Sequence, residues 1–175
     1  MGKDKASLNL NGKMLIEIVV ENLRNAGILD IVVSVRNQQQ SEWIEHIFDN
    51  RIQTLVDGVK VKGIWDVVKF ALPNDGVLQI VPVDSPWFDA KSIEVITQKF
   101  NHNRSKIGVV PWSKNGPEPL LMQVDSSKLR KKMFNSNPIP LREFVNTDSF
   151  VKLEEALLKN ENALRNLNYP SDFNI

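Results

Sequence analysis

The chain has 175 residues, of which 42% are hydrophobic and 25% charged, a composition that allows a sizeable core and excludes wholesale disorder. Its 22 basic and 21 acidic residues give a net charge of +1, which excludes the electrostatic footprint of a general nucleic-acid binder. The sequence has no cysteine, which excludes a disulfide scaffold, a thiolate zinc site and a cysteine nucleophile.

The hydropathy of the chain bears on where it works. No apolar run approaches the roughly 20 residues that a membrane-spanning helix requires. The first residues, Met-Gly-Lys-Asp-Lys-Ala, lack the apolar core of a signal peptide. We therefore predict a cytoplasmic protein without a membrane partner, and we leave its oligomeric state open.

Helical and strand-like patterns alternate through the first hundred residues. The predicted order is a helix from Leu15 that ends at Gly27, a strand over 31–35, a helix over 41–48, a strand over 52–56, a helix over 63–72, a strand over 77–81 and a helix over 89–100. The run over 31–35 is nearly all apolar, which is typical of a strand covered on both faces. This alternation predicts βαβ units and a mostly parallel sheet.

The rhythm changes after Asn103. Strand-like runs over 107–111 and 120–124 flank a polar stretch with Asn115-Gly116, which indicates an antiparallel excursion. A short basic helix is predicted over 128–134, and residues 150–158 fit either a strand or a helix. We interpret residues 1–175 as one α/β domain.

Two predicted strands run directly into an aspartate, Asp57 and Asp84. In an open parallel sheet, ligands bind outside the carboxyl ends of the strands. Two carboxylates at that edge would suit Mg²⁺ and leave positions open for phosphate. The alternative, which the pattern alone favours, is that each aspartate caps a following helix or turn.

The first residues offer a second clue. Gly2, Lys3 and Lys5 could neutralise a triphosphate if they lie beside a sheet edge, because lysine acts there as a point charge. The alternative is an ordinary solvated terminus.

Read together, these residues resemble the MobA-like nucleotidyltransferases, and most closely the molybdenum cofactor guanylyltransferases. Met1-Gly2-Lys3-Asp4-Lys5 is similar to the end of the family's Gly-rich signature, and Pro82-Val83-Asp84-Ser85-Pro86-Trp87-Phe88 to its Pro-Cys-Asp-X-Pro-Phe block. Further blocks follow in the family's order at 10–13, 56–57, 62–64, 117–121 and 166–173. The ordered match across the chain carries the resemblance more than any single block.

The resemblance implies a three-layer Rossmann-like nucleotidyltransferase fold with helices on both faces of a mostly parallel sheet. It implies transfer of GMP from GTP to a molybdopterin-type acceptor, with release of pyrophosphate and with Mg²⁺ as cofactor. The catalytic residues would be Lys5, which neutralises phosphates, and Asp84, which holds the metal. The implied nucleotide-binding residues are Gly2, Lys5, Ser34, Asp57 and Asp84, and the implied residues on the acceptor side are Glu118, Pro119, Asn166 and Asn168.

The chain departs from the family pattern at three places. The family's first strand and most of its Gly-rich loop do not precede Met1, Val59-Lys60 replaces a Gly-Pro, and Glu118 stands where Gln or His is common. We expect the natural start to lie upstream, about 15 to 20 residues before Met1, the length of a strand and a loop. The rival expectation is a protein that has lost the loop and binds nucleotide weakly at most.

Two other functions remain open from the sequence. One is an enzyme of the same fold that uses CTP, ATP or another acceptor, and the other is a non-catalytic nucleotide-binding relative. A basic cluster at Lys128, Arg130, Lys131 and Lys132 could meet an anionic partner, but a solvated helix face is the favoured interpretation.

Overall fold

The computed structural model describes residues 4–58 and 61–168 of the chain. Its helices are α1 (Leu15–Asn25), α2 (Gln38–Ile47), α3 (Ile64–Ala71), α4 (Ala90–Asn101), α5 (Ser126–Phe134) and α6 (Leu141–Val145). Its strands are β1 (Asn9–Leu10), β2 (Lys13–Met14), β3 (Val32–Val35), β4 (Gln53–Val56), β5 (Val77–Gln79), β6 (Gly108–Ser113), β7 (Gly116–Pro117), β8 (Gln123–Asp125) and β9 (Phe150–Glu154). Short 3₁₀ turns occur at Lys5–Ser7, Pro119–Leu121 and Glu155–Leu157.

Helix α1 shows how the sequence pattern becomes structure. Its apolar residues at offsets of three and four, among them Ile16 and Val20, are buried. The Glu17 carboxylate accepts a hydrogen bond from the Met14 backbone N–H at 2.8 Å, which satisfies a free donor at the helix start. The chain turns away at Gly27, whose φ of +81° is one that a side chain disfavours. The predicted helix is confirmed.

The larger sheet has five strands in the order β5-β8-β6-β7, with β9 paired to the other edge of β6. Strand β8 runs antiparallel to both β5 and β6, while β9 runs parallel to β6. Strands β5, β6 and β9 therefore point the same way, and their carboxyl ends share one edge. The predicted antiparallel excursion corresponds to β8 and to the hairpin of β6 and β7, which turns at Lys114-Asn115, just before Gly116.

Neighbouring residues of β6 face opposite sides of the sheet, and each side is covered by helices. Val109 belongs to a core built with α1, α2 and α4, whereas Val110 belongs to a second core built with α3, α5 and α6. Both valines are 0% exposed. The predicted α/β class, with helices on both faces of a sheet, is confirmed.

Strands β3 and β4 pair in parallel with each other but with no other strand of the described residues. The Asp57 backbone N–H donates to the Val35 carbonyl at 2.7 Å, so residue 35 faces β4. Because backbone groups alternate along a strand, Val32 and Ser34 direct theirs to the other edge of β3. No hydrogen bond within the described ranges uses those groups.

Strand β5 has an open edge as well. The Ile80 backbone N–H donates to the Met122 carbonyl at 3.0 Å, so Gln79 and Val81 direct their backbone groups away from β8. Residues of both sheets contribute to the core beneath α1, which places the two open edges over one common core.

The prediction that strand 31–35 is covered on both faces was wrong for Val32, which is 56% exposed. The physical reason is the alternation of side chains along β3, because Val32 and Ser34 share one face of the strand and both are exposed. The later residues of the run, Val33 and Val35, do join the core.

Three local features go beyond the sequence predictions. The ambiguous stretch 150–158 is strand β9 followed by a 3₁₀ turn, because pairing with β6 decides between the two patterns. Helix α5 begins at Ser126 and is capped by the Asp125 carboxylate. Helix α6 and the small hairpin of β1 and β2 were not predicted, since both are very short.

None of the helices that the structure describes is both long enough and apolar enough to traverse a bilayer. A cytoplasmic location stays a prediction from the sequence.

Candidate functional site

Asp84 lies in the loop that follows β5, at the carboxyl edge of the larger sheet. Its backbone carbonyl accepts a hydrogen bond from the Leu167 N–H at 2.8 Å. The next residue, Ser85, is fully buried and donates its hydroxyl to Asn166 Oδ1 at 2.6 Å. From the other side, Asn22 of α1 donates to the carbonyl of Pro86 at 2.9 Å. The loop is therefore held by two separate parts of the chain, which fixes the position of the Asp84 carboxylate.

Lys5 reaches this carboxylate from the start of the described chain. Its Nζ lies 2.7 Å from Asp84 Oδ2 and 3.2 Å from Asn168 Oδ1. The Lys5 and Asp84 side chains are 33% and 21% exposed, so the pair is accessible to a ligand. Ala6, the neighbour of Lys5, is 5% exposed and anchors the turn in the core. The structure brings together three residues that are far apart in sequence.

A second polar pair lies at the carboxyl ends of β3 and β4. Ser34 Oγ donates to Asp57 Oδ1 at 2.7 Å, and both side chains are accessible. The two residues are neighbours because Val35 and Val56 are register partners in the parallel ladder. The pair exposes one carboxylate and one hydroxyl to solvent at the carboxyl ends of the strands. Ligands of open parallel sheets bind at that edge.

Asp4 connects these two groups, and sequence reasoning assigned no role to it. Its Oδ2 accepts a hydrogen bond from Gln40 Nε2 at 2.5 Å and lies 3.4 Å from Arg36 Nη2. Arg36 follows β3 directly, whereas Lys5, the next residue after Asp4, contacts the end of β5. The only signal in the sequence was the position of Asp4 within the block that precedes Lys5.

Glu118 lies at a different part of the edge, behind the hairpin of β6 and β7. Both of its carboxylate oxygens are 3.2 Å from Arg142 Nη2, and Oε1 accepts a hydrogen bond from Ser113 Oγ at 2.8 Å. The Arg142 guanidinium therefore compensates the charge of Glu118. Sequence analysis missed Arg142, because helix α6, which carries it, was not predicted. Pro119 is buried in a 3₁₀ turn.

The structure thus gathers Lys5, Asp84, Asn166 and Asn168 at the end of β5 and pairs Ser34 with Asp57. Glu118 and Pro119 form a separate group near α6. Gly2, the Val59-Lys60 departure and the last part of the 166–173 block lie outside the described residues.

Trp87, beside Asp84, packs rather than lines a cavity. It contacts a small core of Leu10, Leu15 and Leu167, and the Arg165 guanidinium lies 4.9 Å from its ring centre. These contacts indicate that Trp87 packs against the core.

The donor chemistry at Asp84 fits the Mg²⁺ that the family resemblance implies. Its accessible carboxylate is a hard oxygen donor that already holds one cationic group, Lys5 Nζ. Mg²⁺ is commonly bound by one or two carboxylates together with substrate phosphates and water. Within residues 4–58 and 61–168, no group of three His, Cys, Asp or Glu side chains forms an all-protein metal cage. The residues therefore fit a metal that arrives with a phosphate-bearing substrate.

Comparisons with known proteins place the chain among nucleotidyltransferases. A family model described as the MobA-like NTP transferase domain matches residues 1–138. A protein of Thermococcus sibiricus called "Probable molybdenum cofactor guanylyltransferase" is 25% identical over 175 residues, which cover 98% of this chain and 88% of the relative. A protein with the same description from Methanothermobacter thermautotrophicus is 30% identical over 124 residues, 69% of this chain and 62% of the relative.

Solved structures share the fold. The crystal structure of molybdopterin-guanine dinucleotide biosynthesis protein A from Archaeoglobus fulgidus superposes with a TM-score of 0.71 at 20% identity, covering 99% of this chain and 88% of the other. A cytidylyltransferase from Leptospira borgpetersenii gives a TM-score of 0.72 at 14% identity, with 97% and 76% covered.

Proposed function

We propose a function from the premise that this chain belongs to the MobA-like NTP transferase domain family and is a nucleotidyltransferase. The proposed reaction is transfer of GMP from GTP to a molybdopterin-type acceptor. An acceptor phosphate oxygen forms a bond to the α-phosphorus of GTP, the bond from that phosphorus to the bridging oxygen breaks, and pyrophosphate leaves. The names of the relatives from Thermococcus and Methanothermobacter support this choice of substrates.

The observation that carries the proposal is the contact of Lys5 with Asp84 at the carboxyl edge. Displacement at the α-phosphorus develops charge on phosphate oxygens, and fixed cations lower the energy of that transition state. The Lys5 ammonium, held 2.7 Å from Asp84, would neutralise the leaving pyrophosphate. Asp84 would hold Mg²⁺, which when bound neutralises and orients the phosphates. A phosphate nucleophile is already ionised, so no general base is required.

The remaining site residues divide between the two substrates. Ser34 and Asp57 form the proposed nucleotide side, where the carboxylate can accept hydrogen bonds from the guanosine. Asn166 and Asn168 would line the acceptor side next to Lys5. Glu118, with its charge compensated by Arg142, does not repel an anionic acceptor there. Gly2 stays a proposed phosphate contact.

A second candidate is a nucleotidyltransferase with a different base or acceptor. The likeness of the fold to the Leptospira cytidylyltransferase favours keeping CTP as an alternative to GTP. Loop contacts decide base preference, so the fold itself does not separate the two.

The test is an assay of the purified protein with Mg²⁺, a molybdopterin acceptor and each of GTP, CTP and ATP. We expect a dinucleotide product and pyrophosphate with GTP. The Asp84→Asn variant should lose about a hundredfold or more of this activity, the scale of removing one transition-state contact. Asp125→Asn, a capping carboxylate at the start of α5, is the matched control and should retain activity.

Product with CTP or ATP but not GTP would replace the proposed reaction with the second candidate. Mg²⁺-dependent nucleotide binding without product from any nucleotide would indicate the non-catalytic relative. Full activity of Asp84→Asn would show that the assigned metal role is wrong.

A further inference from the structure

We propose that Asp4 is a positioning residue, which ties the turn that carries Lys5 to the end of β3 through Gln40 and Arg36. The consequence for turnover rests on the proposed function. The consequence for the Lys5 side chain itself does not, because it concerns the protein without any substrate.

The two oxygens of the Asp4 carboxylate have separate partners. Oδ1 accepts a hydrogen bond from the Ala6 N–H at 3.1 Å and caps the 3₁₀ turn. Oδ2 accepts from Gln40 Nε2 and lies within 3.4 Å of the Arg36 guanidinium. One oxygen therefore shapes the turn that presents Lys5, while the other attaches that turn to the end of β3.

Gln40 completes the tie from the opposite side. Its Oε1 accepts a hydrogen bond from the Arg36 backbone N–H at 2.9 Å, which fixes Gln40 against the residue that follows β3. Its backbone N–H is held by Asn37 Oδ1, also at 2.9 Å, at the start of α2. One contact therefore holds the side-chain amide that binds Asp4, and the other holds the Gln40 backbone beneath it.

Lys5 depends on such a tie for two reasons. A lysine side chain loses rotamer entropy when it is fixed, so a mobile backbone beneath it would weaken the contact of Lys5 with Asp84. In addition, β3 and β5 share no ladder within the described residues. At the carboxyl edge, Asp4 and Lys5 bridge the two sheets, the first at the end of β3 and the second at the end of β5.

The first test uses the protein without substrate. The rate at which a limiting acylating reagent modifies Lys5 is measured by peptide mass spectrometry, with exposed Lys91 as the internal reference. Asp4→Asn keeps a side-chain oxygen for the cap but loses the charge, and Gln40→Met removes the hydrogen bond to Asp4 while Arg36 stays in place. Both variants should raise the Lys5 rate about threefold, because the ion pair weakened in the first and the hydrogen bond lost in the second are each worth a factor of about this size. Asp125→Asn, the matched capping control, should leave it unchanged.

The second test measures turnover and affinity for Mg²⁺ with GTP. Asp4→Asn should lower kcat/KM about tenfold, less than the hundredfold that a misplacement of 1 Å can cause. If Asp4 acts through Lys5, the same substitution should have no further effect in a Lys5→Ala background.

An unchanged Lys5 acylation rate in both Asp4→Asn and Gln40→Met would overturn the inference. An equal loss of kcat/KM in the wild-type and Lys5→Ala backgrounds would also overturn it, because Asp4 would then act independently of Lys5. Faster acylation of Lys5 in Asp4→Asn and Gln40→Met, together with no nucleotide binding by the wild-type protein, would support the inference and refute the proposed function.

Discussion

The five-stranded sheet and the sheet of β3 and β4 differ in how completely they are enclosed. In the five-stranded sheet, Val109, Val110 and Leu153 are 0% exposed and the strand β6 has partners on both edges. In the sheet of β3 and β4, Val32 is 56% exposed on the outer face of β3. The comparison indicates that packing stability is concentrated in the larger sheet. The smaller sheet instead contributes polar strand ends, which the turn at residues 4 and 5 joins to Asp84.

The largest expected difference between the sheets is in core packing. Leu153→Ala should lower the free energy of unfolding by about 3 kcal/mol, since it leaves a cavity in β9. Val32→Ala should cost less than about 0.5 kcal/mol, as surface substitutions do. Urea unfolding of the two variants measures the contrast, and equal losses would contradict it.

Gly108 tests how tightly β6 and β8 approach. A Cβ at this position would lie 2.5 Å from the Gln123 carbonyl oxygen and 2.5 Å from Val124 Cγ1. We expect Gly108→Ala to destabilise the protein by about 2 kcal/mol, because the two strands must separate. Gly58→Ala, after β4 where nothing lies within 4 Å, is the control. A similar melting temperature for both variants would show that the larger sheet tolerates the strain.

The ion pair behind the hairpin of β6 and β7 has a smaller expected effect. Arg142→Ala removes the cation from Glu118, whose side chain is 14% exposed, and should cost about 1 kcal/mol. Adding Glu118→Gln should restore part of that loss, because the buried charge is then gone. Arg51→Ala, which breaks an exposed pair with Asp49, should change stability little. Thermal unfolding measures these losses of stability. Equal losses for Arg142→Ala and Arg51→Ala would contradict the larger contribution expected of the Arg142–Glu118 pair.

The smallest effect concerns acid stability at the amino edge of the larger sheet. Burial alone would raise the pKa of the Asp125 carboxyl, but hydrogen bonds from Ser127 and the Lys128 N–H outweigh it and hold that pKa below its ordinary value. Asp125 therefore stabilises the fold above the ordinary carboxyl pKa, and this stabilisation is lost as the pH falls through its lowered pKa. Asp125→Asn should reduce stability by less than about 1 kcal/mol at pH 7 and by less still at pH 3. Equal losses at both pH values would contradict this sign.

Much of the fold was predictable because its signals are local. The buried faces of α1 and α4 follow from apolar spacing, and their ends follow from residues such as Gly27 and Asp89. The short elements β1, β2 and α6 were missed because two to five residues contain too little periodicity. Stretch 150–158 fitted two patterns until its pairing with β6 selected the strand.

The candidate site divides in the same way. Lys5, Asp57 and Asp84 were singled out from the sequence, since strand ends and a motif mark their positions. The contacts of Asp4 with Gln40 and of Glu118 with Arg142 were not, because each joins residues more than 20 positions apart through the folded chain.

The sequence by itself determined the α/β class, the order of the principal helices and strands, and the residue types available at the carboxyl edge. All three follow from hydrophobic periodicity and from the residues that end each apolar run, and both signals are present in the linear sequence before the chain folds. Only the tertiary structure decided that, within the described residues, β3 and β4 share no ladder with the five-stranded sheet, and that Asp4 and Lys5 bridge these two sheets. Strand pairing and side-chain ion pairs depend on distances between remote residues, and those distances exist only once the core has formed.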